Sequence, residues 1–255
     1  MFLEERYSKI LDMLQADGRV SVKNLAATFN VTEDCIRKYL KELEMLGKLK
    51  RVYGGAIPIT TTSHSHISNV WERKSINLDS KIVIAKKSLN LINDGDTIFL
   101  DASTTNLEIA KLLSHTQLSL SVITNMADIL MILGKHATIK LISIGGMFSS
   151  VIGGTMGSEA IHQIHSYNID KAFIGVCGIN VNEQYLSTPD LDDGHTKHAI
   201  ITQASETYLV MEEEKFNYIE LYKFNTLDNI QGIITEVSPS PTILNKLKQL
   251  SIDII

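Results

Sequence analysis

Apolar positions in the first quarter of the chain fall at helical intervals. Leu3, Tyr7, Ile10, Leu11 and Leu14 predict a first helix that Gly18 ends. Val22, Leu25, Ala26 and Phe29 predict a second, with Ser21 as its N-cap and Asn30 in the turn that follows. Thr32 caps a third, whose inward face is Ile36, Leu40, Leu43 and Leu46, and Gly47 stops it. Leu49 to Ile57 reads as a β-hairpin turning near Gly54-Gly55, and Pro58 closes the unit. Residues 59–70, ITTTSHSHISNV, are polar and aperiodic, as a linker should be.

Beyond the linker short apolar strands alternate with helix-like stretches. Strands are expected at Thr97–Asp101, Leu120–Thr124, Ile139–Ile144, Lys171–Val176, Thr207–Met211 and Gly232–Thr235, with helices such as Leu107–Leu113 and Ile161–His165 between them. That alternation predicts an α/β/α domain with a mostly parallel sheet covered on both faces. The fold class is therefore α/β: residues 1–58, linker 59–70, and a larger unit over 71–255.

Charge sharpens the division. Residues 1–58 hold ten Lys/Arg against eight Asp/Glu, a net of +2, whereas the rest carries −7 of the chain's −5 total. A small DNA-reading module on an acidic partner fits this, although other two-domain proteins share such asymmetry. The cysteines, Cys35 and Cys177, are far apart and imply neither a disulfide framework nor a metal site. The N-terminal MFLEERYSKILDML is not patterned as a signal peptide, and no segment approaches the roughly 20 apolar residues of a membrane span, so no membrane partner and a cytoplasmic location are expected. His64/His66, His162/His165 and His195/His198 are the spacings closest to a metal site, and no Asp, Glu or Cys completes any of them. No metal and no cofactor are expected.

Two constellations carry chemistry. The third helix would turn Glu33, Asp34, Arg37, Lys38 and Lys41 outward. Arg37 and Lys41 can reach phosphates or the O6/N7 edge of guanine, Glu33 or Asp34 can accept from cytosine N4, and Thr32 can bond a phosphate. Lys48, Lys50 and Arg51 load the hairpin with charge suited to backbone contact. A single basic helix is more often a solvated face; the helix pair, basic hairpin and glycine pair together favour double-stranded DNA.

In the second unit the first strand runs into Ala102-Ser103-Thr104-Thr105-Asn106 and a helix. Hydroxyls and N–H groups at such a turn can hold an anion, and the same residues can simply cap the helix. Further polar strand tips are Thr124-Asn125, Gly145-Gly146 and Thr188-Pro189-Asp190, while Lys197 and Lys215 stand where they could meet a phosphate or carboxylate.

These stretches resemble the DeoR family of bacterial transcription regulators. RYSKILDMLQADGRVSVKNLA, VTEDCIRKYLKELE and RVYGGA are similar to the family's winged helix-turn-helix. Where the family usually has Ile-Arg-Arg-Asp-Leu, this chain has Ile36-Arg37-Lys38-Tyr39-Leu40. DASTT (101–105), TN (124–125), GG (145–146), DKAFIG (170–175), TPD (188–190) with Lys197, and KF (215–216) are similar to its sensor domain, and Arg73 and Lys81 also sit in that pattern. The departures are Val176-Cys177-Gly178 for the usual Ala-Asp-Gly and Glu212-Glu213-Glu214 for the usual Asp-His-Ser.

The resemblance implies a winged helix-turn-helix followed by a domain similar to ribose-5-phosphate isomerase. It implies a homo-oligomeric (dimer or tetramer) regulator, in the repressor sense, of sugar-metabolism genes. Double-stranded operator DNA would be held by Thr32, Glu33, Asp34, Arg37, Lys38, Lys41, Lys50 and Arg51. A phosphorylated sugar effector would be held by Asp101, Ser103, Thr104, Thr105, Asn125, Gly145, Gly146, Thr188, Asp190, Lys197 and Lys215. The alternatives are a sugar-phosphate isomerase-like enzyme using Asp190, and a DNA-binding protein whose second domain only oligomerises.

Overall fold

The computed structural model describes residues 3–46, 48–57 and 69–255. Gly47, Pro58 and most of the expected linker lie outside them.

In the first unit, helix α1 (Leu3–Asp17) leads through β1 (Val20–Ser21) into α2 (Val22–Phe29) and α3 (Glu33–Met45). The hairpin β2 (Lys50–Val52) and β3 (Gly55–Ile57) follows, forming a small antiparallel sheet of order β1-β3-β2. Local chemistry sets the corners. Ser21 Oγ accepts from the Asn24 N–H at 3.1 Å, and Thr32 Oγ1 accepts from the Cys35 N–H at 3.3 Å. Asn30 takes the left-handed conformation that turns α2 into α3, φ 51 and ψ 51. A Cβ on Gly55 would lie 1.9 Å from the Val20 carbonyl oxygen, so only glycine lets β3 lie this close to β1. Ile10, Leu14, Leu25, Ile36, Leu40, Leu43 and Leu49 form the core. Leu46 departs from the expected inward face and is 64% exposed. It caps α3 outside helical geometry (φ −79, ψ 0), off the stripe, and Leu49 fills the core instead.

The second unit opens at Asn69, whose side chain caps α4 (Val70–Arg73). Val70, expected in the linker, is fully buried, and its N–H donates to Val151 O at 2.9 Å. After α5 (Leu78–Leu89) come β4 (Thr97–Leu100), α6 (Thr104–Leu113), β5 (Leu120–Thr124), α7 (Ala127–Leu133) and β6 (Ile139–Ser143). A short hairpin, β7 (Met147–Ser149) and β8 (Gly154–Met156), precedes α8 (Ser158–Ile164) and β9 (Ile169–Gly175). Next are β10 (Gly178–Asn180), β11 (Tyr185–Thr188), α9 (Leu191–Gln203) and β12 (Ala204–Val210). A 3-10 helix (Glu213–Asn217), β13 (Tyr222–Thr226), β14 (Gly232–Ile234), α10 (Pro241–Gln249) and β15 (Asp253–Ile254) complete the chain.

Seven strands form one sheet of order β15-β14-β12-β9-β4-β5-β6, every neighbouring pair parallel. Alternation along each strand feeds two cores. Phe99, Ile123, Ala172 and Ile174 face one cluster. Ile98, Leu100, Val122 and Phe173 face the other. The antiparallel sheet β10-β11-β13 stands apart, so the Leu186-Ser187-Thr188 strand belongs to it and not to the main sheet.

The strand order places the site. From β4 the chain steps outward through β5 to β6, then returns to lay β9 on β4's other side and continues through β12. The winding direction reverses between β4 and β9, and a crevice opens beyond their carboxyl ends.

Candidate DNA interface and effector cavity

Helix α3 buries Ile36, Leu40 and Leu43 against its own module. Thr32, Glu33, Asp34, Arg37, Lys38, Lys41, Lys50 and Arg51 are all exposed. The arginines are engaged. Arg37 donates from Nη2 to Glu33 at 2.7 Å and from Nη1 to Asp34 at 2.5 Å. Arg51 donates from Nε to Glu44 Oε2 at 2.6 Å and from its main-chain N–H to Oε1 at 2.8 Å, and these bonds hold the Glu44 carboxyl below its ordinary range. Among the described residues Lys38, Lys41, Lys48 and Lys50 make no ion pair. Tyr39 turns to α1: its hydroxyl accepts from Arg6 at 2.6 Å, and its ring meets Tyr7 edge-on at 5.7 Å. Tyr39, which stands where the family usually has an acid, therefore packs between α3 and α1.

A cavity of about 490 Å³ occupies the crevice beyond β4 and β9. Four of its sides come from the β4–α6 turn, the β9–β10 turn, the start of α9 and the α4–α5 segment; the β7–β8 hairpin and the 3-10 helix complete it. Ser103 caps α6, its Oγ accepting from the Asn106 N–H at 3.1 Å. Thr104 and Thr105 follow in the first turn, where N–H groups have no intrahelical acceptor, and both line the cavity. A Cβ on Gly175 would lie 2.3 Å from Ser103 Cβ, so glycine is required where β9 passes the turn.

Under the turn lies a buried ion cluster. Asp101 accepts from Asn106 Nδ2 at 2.6 Å, from the Gly175 N–H at 3.0 Å, and from Lys197 Nζ in a short contact. Lys197 also lies 3.4 Å from Asp193, which accepts from the Thr188 hydroxyl at 2.8 Å. Burial works against the Lys197 charge, but Asp101 and Asp193 outweigh it and hold the ammonium above its usual range. Burial pushes the Asp193 carboxyl up even though Lys197 opposes the shift. Asp190 caps α9, accepting from the Asp193 N–H at 2.9 Å.

Lys81 is also pinned: its Nζ donates to Arg73 O at 2.6 Å and Ile76 O at 2.7 Å, with Glu212 at 3.8 Å, and burial lowers its pKa. Arg73 and Lys215 are the more available cations. Arg73 reaches Val151 O at 3.3 Å and keeps a buried Nε with no partner; the Lys215 Nζ stands 5.2 Å from the Tyr218 ring centre. Cys177 faces the cavity with its thiol pushed up by burial, and Glu214 accepts from Asn77 Nδ2 at 3.1 Å. The lining's Arg73, Lys81, Lys197 and Lys215 are balanced by Asp190, Asp193, Glu212 and Glu214.

Of the residues expected around an effector, Ser103, Thr104, Thr105, Thr188, Asp190, Lys197 and Lys215 line this cavity, and Asp101 supports it from below. Asn125, Gly145 and Gly146 are not among the lining residues. They follow β5 and β6, on the far side of β4 from the crevice. Asn125 Nδ2 donates to Thr155 O at 2.7 Å, Gly145 N–H donates to Gln163 at 2.9 Å, and Gly146 packs on Ala160. These contacts tie the three to β8 and α8, and Asn125 Oδ1 is buried without a partner. Asp193 was missed, although its place four residues before Lys197 on one helix was a usable signal. Nothing in the pattern marked Val151 or Ile152.

His195 pairs with Tyr222 at 2.7 Å and His198 with Asn225 at 2.8 Å; His64 and His66 lie outside the described residues. No group of three metal-ligating side chains occurs among the described residues, and no helix there is long and apolar enough to cross a membrane.

Comparison with known proteins gives two family matches: a DeoR-like helix-turn-helix domain over residues 6–62 and a DeoR C terminal sensor domain over residues 76–237. The lactose phosphotransferase system repressor of Lactococcus lactis is 32% identical over 96% of both chains. The HTH-type transcriptional repressor GlcR of Bacillus subtilis is 30% identical over 100% of this chain and 96% of its own. The glycerol-3-phosphate regulon repressor of Escherichia coli is 27% identical over 95% of this chain and 94% of its own. Among solved structures, ribose 5-phosphate isomerase A of Methanocaldococcus jannaschii aligns over 56% of this chain and 55% of its own, with 18% identity and a TM-score of 0.42.

Proposed function

Because this chain belongs to the DeoR family of bacterial transcription regulators, we propose that it is a repressor of sugar-metabolism genes controlled by a phosphorylated sugar. In this reading residues 1–58 bind operator DNA through Thr32, Glu33, Asp34, Arg37, Lys38, Lys41, Lys50 and Arg51. The sensor domain begins by Asn69, inside the expected 59–70 linker. It pairs copies of the chain so that two recognition helices meet two half-sites.

One observation carries the sensing role: a cavity at the sheet's switch point that presents the start of α6. The effector phosphate sits on Ser103, Thr104 and Thr105, beside Arg73 and Lys215. Thr188 and Asp190 meet the sugar. Lys197 acts one layer back, since both neighbouring carboxylates already hold it. Names of relatives support this chemistry: one is a repressor of the lactose phosphotransferase system, another of a glycerol-3-phosphate regulon. The effector must bind one arrangement of the two domains better than the other, or it shifts nothing.

Catalysis is not part of the proposal. Isomerisation needs a free base beside the substrate carbon. Asp190 is engaged as a helix cap, and burial keeps the Cys177 thiol protonated.

The test is calorimetry of the full chain with a panel of sugar phosphates, paired with promoter binding by fluorescence anisotropy. Heat from one member, lost in Thr104→Ala/Thr105→Ala and coupled to changed promoter affinity, is expected. Absence of heat or thermal shift from every member would leave a second domain that only oligomerises, and aldose–ketose turnover abolished by Asp190→Ala would make it an enzyme.

A further inference from the structure

The cations of the DNA face divide by type. Both arginines lie against carboxylates of their own module, while Lys38, Lys41, Lys48 and Lys50 make no ion pair among the described residues. On α3 the arrangement is forked: the two ends of the Arg37 guanidinium meet Glu33, four residues back, and Asp34, three residues back. All three side chains are at least 49% exposed, so the fork is open to exchange.

A DNA duplex offers Arg37 two replacements. A phosphate is anionic, and bringing Arg37 to it also brings Glu33 and Asp34 against the phosphate row, where like charges repel. The guanine O6/N7 edge accepts the same two-pronged donation without formal charge. On that edge the released carboxylates face no anion, and an adjacent cytosine N4 amine can donate to one of them.

We propose that Glu33 and Asp34 are specificity determinants that withhold Arg37 from the phosphate backbone and release it to guanine. Sequence-independent affinity rests on Lys38, Lys41, Lys48 and Lys50, and Arg37 adds to binding only where a guanine replaces its own carboxylates. This rests on the assignment of α3 as the recognition helix and adds to it the division of labour between arginine and lysine.

The experiment uses the full chain and a labelled duplex of scrambled sequence, by anisotropy across a salt series. Glu33→Gln/Asp34→Asn frees Arg37 for phosphate. Affinity for the scrambled duplex rises several-fold, and the log–log salt slope steepens by about 0.9, the signature of one further phosphate contact. Adding Arg37→Ala to that variant removes both gains. On a duplex selected from a random pool by the unaltered protein, the preference over scrambled sequence shrinks in Glu33→Gln/Asp34→Asn. If scrambled-duplex affinity and slope stay put, or the gain survives Arg37→Ala, the carboxylates do not gate Arg37 and the inference falls alone. Salt-independent binding by the unaltered protein, indifferent to Lys41→Ala, removes both the helix assignment and the inference. Far-UV circular dichroism confirms folding, and Asp34→Asn alone gives the same readings should the double variant lose helix.

Discussion

The DNA face and the effector cavity both set cations beside carboxylates, in opposite media. Arg37 and its two acids stand in water, where the pairing is weak and can be exchanged for another partner. Lys197, Asp101 and Asp193 are at most 5% exposed, where losing one member leaves a charge that water cannot reach. A lysine or arginine beside carboxylates is thus exchangeable in one case and part of a scaffold in the other. Burial decides which, and four predictions probe that difference.

The largest effect is expected at the buried cluster. Lys197→Met strands Asp101 and Asp193 and should cost about 3–5 kcal/mol, seen as an earlier unfolding transition of the sensor domain in urea. Survival of that transition unchanged would make Lys197 an exchangeable cation like those on α3. Next is Gly175→Ala, whose new Cβ meets Ser103 at 2.3 Å. The β4–α6 turn must shift, at about 1–3 kcal/mol in the same measurement, and sugar-phosphate heat should vanish with it.

On the exposed face the ordering reverses: stability barely moves while binding does. Lys41→Ala should stay within about 0.5 kcal/mol of the parent in urea. Its DNA salt slope should flatten by about 0.9. The smallest effect concerns Tyr7, whose hydroxyl donates to Glu42 and whose pKa is pushed up to about 12, first by burial and then by that carboxylate. The folded state keeps the proton that the unfolded chain gives up near 10, so this contribution is present below pH 10 and lost as pH rises to 12. Tyr7→Phe should flatten that part of the alkaline stability curve, and of the phenolates that appear only near the top of the range in the parent, Tyr7 and Tyr208, the variant should lose one.

Legibility along the chain followed the range of the interactions involved. Ser21, Asn30 and Thr32 act within three or four residues of themselves, and each sits at the corner its type predicts. Leu120–Thr124 is the strand the apolar run outlines. Leu46 misled because a helix end, and not periodicity, sets where it points. Val70 misled because its partners, Val151 and Gly153, are some eighty residues away. Ser103–Thr105 sit at a turn visible as a strand running into a helix, whereas Asn125, Gly145 and Gly146 offer the same kind of polar strand tip and only strand order sets them beyond β5 and β6, apart from the cavity lining.

By itself the sequence determined what periodicity and short-range capping control: the three-helix module with its basic hairpin, the α/β alternation, and the family those motifs share. Only the tertiary structure decided which cations remain available. Whether Lys197 or Arg73 can meet a ligand depends on which carboxylates and carbonyls distant segments bring to it, and on whether water still reaches the charge. Asp193 is readable from its i,i+4 spacing to Lys197, but Asp101, Val151 and the burial of the charge come from segments far along the chain, and no spacing encodes those.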